Sequence, residues 1–71
     1  MAKAHTLEQL EAITEKIIDD FILGKRAVAW ESIMALRKAQ QSYVIASVVT
    51  RLYDLNDDIR DQFLAWLRTL A

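Results

Sequence analysis

Residues 6–24 read TLEQLEAITEKIIDDFILG, and this stretch decides the class of fold. Thr6 stands three residues ahead of Gln9, the pattern of a capping box, in which each side chain bonds the other's free backbone N–H. Leu7, Leu10, Ile13, Ile17 and Phe21 follow at spacings of three and four. At 100° per residue they share one helical face. Glu8, Glu11, Glu15 and Asp19 form a stripe away from that face. Gly24 is a stop signal, because glycine enters the left-handed helix cap without strain. The stretch is therefore one amphipathic helix with both ends marked.

Working outward, the same periodicity recurs three times. A second helix is expected from about Ala27 to Gln40, with Ala29, Trp30, Ile33 and Leu36 on its face and Met34 on the flank. No good capping residue marks its start. Residues 43–55 are rich in β-branched side chains, which suit a strand. However, Ile45, Val48, Val49, Leu52 and Leu55 keep helical spacing, and no second strand exists to pair with. This segment reads as a helix started by Ser42, with an apolar arc from Val44 round to Tyr53. So wide an arc marks the most buried helix of the set. Gln40 to Ser42 is then the break between helices two and three, unless the two run on as one. The last helix begins near Asn56, with Asp57 and Asp58 at its positive end and Arg68 near its negative end. Ile59, Phe63, Trp66, Leu67 and Leu70 make its face. The expected fold is all-α: a single domain, residues 1–71, as a small bundle of three to four short helices, with residues 1–5 a mobile tail.

Seventy-one residues bury little core, and a domain this small usually needs a further staple. The chain has no cysteine and one histidine, His5. A disulfide, a thiolate metal site and a histidine cluster are excluded, which leaves oligomerisation. An apolar fraction of 54% points the same way. Ile18, Ile22, Val28, Met34 and Leu64 fall beside or outside the main faces, so a homodimer is expected. The N-terminus carries no apolar signal-like region, and Tyr43 to Val49, the longest strongly apolar run, is far short of a bilayer span of about 20 residues. The expectation is a cytoplasmic protein with no membrane partner.

The net charge of −1 is unevenly spread. Residues 1–23 set Lys3 and Lys16 against Glu8, Glu11, Glu15, Asp19 and Asp20. Residues 24–54 set Lys25, Arg26, Arg37, Lys38 and Arg51 against Glu31 and Asp54. An acidic first segment thus precedes a basic middle. Solvated faces that differ by chance explain this most simply. The sharper reading takes Lys25, Arg26, Arg37 and Lys38, with Trp30, as partner-binding residues.

Specific chemistries fare poorly. Asp54, Asn56 and Asp58 match the start of a calcium loop, but Ile59 replaces the turn glycine and Ala65 the bidentate glutamate. Capping of the last helix explains them better. The acidic stripe has no histidine three residues on, as di-iron bundles require, and faces away from the apolar side. No glycine-rich loop cradles phosphate, and no nucleophile has an implied base. An enzyme is not expected, nor is any cofactor. Val49-Thr50-Arg51-Leu52 suggests the end of a DNA-recognition helix. Yet Tyr43 stands where the turn wants glycine, Ile45 and Ala46 stand at groove-facing positions, and the domain is not basic overall. Trp30 and Trp66 lie on apolar faces, where packing is more natural than base stacking. Arg26 and Arg37 fall in line with Trp30 and Ile33, so their stems can cover apolar surface or their heads can meet an acidic partner.

A capped helix near the start, and Leu52-Tyr53-Asp54 ahead of a Trp-containing end, resemble small enterobacterial regulators of the Hha type. The shared residues are few and their spacing differs by several positions, so no functional residue is carried over. The functional expectation is a small non-enzymatic accessory or regulatory protein that contacts itself and another protein. The alternative is a nucleic-acid-binding regulator using the basic segment 25–51.

Overall fold

Thr6 starts the first helix as its chemistry dictates. In a computed structural model that describes residues 5–70, its hydroxyl accepts the Gln9 N–H at 3.3 Å and the Gln9 carboxamide accepts the Thr6 N–H at 2.9 Å. The helix, α1 (Leu7–Ile22), ends in a Schellman turn. Gly24 takes φ +82° and donates to the Phe21 carbonyl at 3.1 Å, while the Lys25 N–H donates to the Asp20 carbonyl at 2.7 Å. Three more helices follow: α2 (Arg26–Met34), α3 (Lys38–Leu55) and α4 (Asp57–Leu70). The described residues contain no strand, so the stretch 43–55 is helical as its spacing requires. The result is an all-α globule of four helices measuring 34 × 23 × 19 Å.

The break between α2 and α3 differs from expectation. It falls at residues 35–37, not 40–42, and Ser42 lies within α3 instead of starting it. A buried side chain makes this turn. Leu36 leaves the helix and enters the core, and its N–H is satisfied by the Ile33 carbonyl at 3.1 Å. Its own carbonyl accepts from the Gln41 side chain at 2.8 Å. Arg37 then adopts extended backbone, ψ 151°, at the start of α3. It does not lie on the apolar side of α2.

At the other end of α3 a single residue turns the chain. The Asn56 side-chain oxygen accepts the N–H of Asp58 at 2.8 Å and of Ile59 at 3.2 Å, which caps α4. The helix starts at Asn56 as read from the sequence, and Asn56, not an acidic neighbour, supplies the cap. Across the same corner the Arg60 guanidinium lies 4.1 Å from the Tyr53 ring and pairs with Asp57 and Asp61. The hydrogen bond with Asp61 raises its pKa.

The core gathers Leu10, Ile17 and Phe21 from α1, Ala29 and Ile33 from α2, Leu36 from the turn after it, Val44, Val48 and Leu52 from α3, and Phe63 from α4. α1 and α3 contribute three apolar residues each, yet α1, not α3, is the more buried helix. It buries Thr14 and Asp20 as well, the Thr14 hydroxyl donating to the Leu10 carbonyl at 2.7 Å and Asp20 meeting Lys16 at 2.8 Å. The wide apolar arc of α3 is buried only along Val44, Val48 and Leu52, while Ile45 and Val49 are half-buried and Tyr53 and Leu55 stay exposed. α3 nevertheless packs against all three other helices. Leu7, read as a core position, is 60% exposed. It sits in the first turn of α1, ahead of every residue that α1 buries.

α4 is docked by aromatic rings. Phe63 meets Phe21 edge-on at 5.2 Å, and Trp66 lies 5.4 Å from Phe21, 5.7 Å from Phe63 and 6.2 Å from Trp30. Edge-to-face pairs of this kind are favoured by the ring quadrupoles.

His5 is tied down. Its N–H donates to the Gln40 side chain at 3.4 Å and its carbonyl accepts from that side chain at 3.1 Å. Of the tail expected over residues 1–5, only His5 is described, and residues 1–4 lie outside the described residues. This contact joins the N-terminal ends of α1 and α3, and Glu15 meets Arg51 at 3.3 Å further along. The two helices thus run parallel, with α2 as the return. No helix among the described residues is long and apolar enough to cross a membrane.

Candidate interaction surface

Parallel packing of α1 and α3 leaves a furrow between them on the outer side. Its lower part, toward the C-terminal ends of both helices, is an open groove of about 510 Å³ lined by Glu15, Ile18, Asp19, Ile22, Arg51 and Leu55. Its upper part passes Glu11, Tyr43, Ser47 and Thr50. Arg51 borders both, and its partner Glu15 borders the lower part. On α1, residues 11, 15, 18 and 22 recur at helical spacing and face the furrow together. The acidic stripe and the leftover isoleucines of α1 are one surface.

The groove is apolar at its floor and charged at its rims. Ile22 is exposed, Ile18 is half-buried against the core, and Leu55 is 61% exposed although its spacing suggested a core position. Asp19 on the α1 wall makes no ion pair with a described residue. Arg51 on the α3 wall pairs with Glu15 through one terminal nitrogen. A guanidinium carries five donors, so this pair leaves others available.

The residues singled out from sequence do not converge on one site. Lys25 and Arg26 begin α2, whereas Arg37 and Lys38 begin α3. They stand at opposite ends of α2, whose nine residues span about 14 Å at 1.5 Å each. Arg51, the fifth cation of the segment 25–51, belongs to the α1/α3 groove. Arg26 lies with its guanidinium 4.8 Å from the Phe21 ring, a cation–π contact that lays its stem over apolar surface. Trp30 is half-buried edge-on to Trp66 and belongs to the ring cluster holding α4. Neither Lys25 nor Lys38 pairs with the acidic stripe of the same chain. The only stripe residue met by the basic segment among the described residues is Glu15, through Arg51.

Of the five apolar residues left over by the sequence pattern, Ile22, Val28 and Met34 are exposed, and Ile18 and Leu64 are half-buried. Ile18 and Ile22 line the groove. Leu55, which belongs to the same surface, was missed because it lies on the broad apolar arc of α3, and Tyr43, outside that arc, lines the upper part of the furrow. The exposure of Leu55 depends on which part of that arc α1 covers. Asn56, in the calcium-like pattern, spends its side-chain oxygen on two backbone N–H groups.

Comparison of the chain with models of protein families, with curated proteins and with solved structures finds no match.

Proposed function

We propose that this chain is a small non-enzymatic accessory or regulatory protein of the cytoplasm that works through protein–protein contacts, as a homodimer that engages a further protein. No cofactor enters this reading. The observation that carries it is the lower α1/α3 groove, where Ile22 and Leu55 stand exposed together beside half-buried Ile18. An apolar strip rimmed by charges is the kind of surface that marks an interaction site. The small core supports it too, since an associating partner stabilises the folded form by mass action.

The nucleic-acid alternative needs cations gathered along one face, because phosphate neutralisation supplies most of such affinity. Separation of Lys25 and Arg26 from Arg37 and Lys38 gives it no such face. The test is capture on the immobilised chain from native lysate, in parallel arms with and without nuclease, over a salt series. Retention of the same specific protein in both arms, with a shallow salt dependence, is expected. Binding that vanishes with nuclease, or falls steeply with salt in proportion to phosphate contacts, overturns the proposal.

A further inference from the structure

We propose that the α1/α3 groove seats a second copy of this chain, with α1 of each protomer lying over α3 of the other. This rests on the homodimer reading above and specifies its geometry. A two-fold interface must be self-complementary, since the same patch serves on both sides. The groove meets that condition. It has an apolar centre of Ile18, Ile22 and Leu55, a carboxylate that pairs with no described residue, Asp19, on the α1 wall, and a guanidinium with spare donors, Arg51, on the α3 wall.

The charges select one orientation. A two-fold axis across the helices sets α1 against α1, bringing the Glu11, Glu15 and Asp19 walls together, and like charges opposed across an interface are unfavourable. An axis along the groove sets α1 over α3. Because α1 and α3 run parallel and in step, residues at one level then face each other. Glu15 lies level with the partner's Arg51, Asp19 one turn further along comes within reach of that guanidinium's spare donors, and Ile18 and Ile22 bracket the partner's Leu55. Each copy supplies one carboxylate and one guanidinium, so the pair forms twice around a closed apolar seam.

The chain contains no cysteine, so introduced thiols report without background. Asp19→Cys and Leu55→Cys copies, mixed and oxidised, are expected to form the mixed disulfide in preference to either same-site disulfide. Leu55→Glu is expected to weaken self-association at least tenfold with an unchanged helical spectrum, because Leu55 is exposed in the single chain. Asp19→Lys and Arg51→Glu should each weaken it alone, and an equimolar mixture of the two should restore it. A disulfide dominated by Asp19→Cys with itself overturns the orientation. A dimer that survives Leu55→Glu and both charge reversals unchanged overturns the groove as the seat, while leaving the homodimer reading intact. A wild-type chain that stays monomeric refutes that reading itself, and the groove inference with it.

Discussion

Replacing Phe63 by alanine should bring this protein close to unfolding. Phe63 is the one fully buried residue of α4, at 0% exposure, and it holds that helix to Phe21 of α1 and to Trp66. Truncating a buried Phe to Ala costs about 3–5 kcal/mol, as lost transfer energy plus the cavity left behind. A 71-residue domain at roughly 0.05–0.15 kcal/mol per residue has only about 4–11 kcal/mol to lose. Nothing else in α4 is buried well enough to compensate, since Trp66 and Leu67 are only half-buried. Urea unfolding, followed by circular dichroism and by the fluorescence of Trp30 and Trp66 at matched protein concentration, reads the cost. The two probes should report together a midpoint lowered by several kcal/mol equivalent, and Phe63→Leu, which keeps an apolar filler, should lose less than half as much. A Phe63→Ala loss under about 1 kcal/mol, the size of an ordinary surface change, would refute the view that the ring cluster docks α4.

Three further substitutions test the turns and the cations. Gly24→Ala should cost about 1–2 kcal/mol for backbone reasons alone, because φ is +82° and an added Cβ meets nothing within 4 Å; Gly24→Asn should cost less, and equal stability of all three in thermal unfolding would show that the turn relaxes. Thr6→Ala removes one half of the capping box and should cost about 1 kcal/mol, seen as faster amide exchange in the first turn of α1; unchanged exchange there would count against the cap. Arg26→Gln should lose about 0.5–1 kcal/mol of cation–π stabilisation over Phe21, whereas Lys25→Gln, which breaks no ion pair, should leave the urea midpoint where it is. The reverse order would mean that the Arg26 contact does not form in solution.

Helix ends that carry their own chemistry were legible in the sequence, and ends made by packing were not. Thr6 with Gln9, Gly24 and Asn56 are local signals, and each acts at its position because the bonds it makes span only a few residues. The turn at residues 35–37 has no such residue. There Leu36 is buried in the core among residues of α1 and α3, a contact that no local pattern announces. Ser42 offered a cap that the chain does not use. The same division holds for the surface. Alternation of Ile18 and Ile22 with Glu11, Glu15 and Asp19 was visible along α1. That α3 lies parallel beside it, bringing Arg51 and Leu55 to the same groove and leaving Lys25 and Lys38 at opposite ends of α2, is a tertiary fact. Asp20 seemed a member of the solvated charges, yet it is nearly buried at the Schellman turn where the chain doubles back.

The claim on which the functional account turns is self-association, and the mass of the chain in solution tests it most directly. Sedimentation equilibrium of the wild-type protein across the micromolar range should fit a species of twice the 8.2 kDa chain mass in reversible equilibrium with the single chain. A single species of 8.2 kDa throughout that range would contradict it.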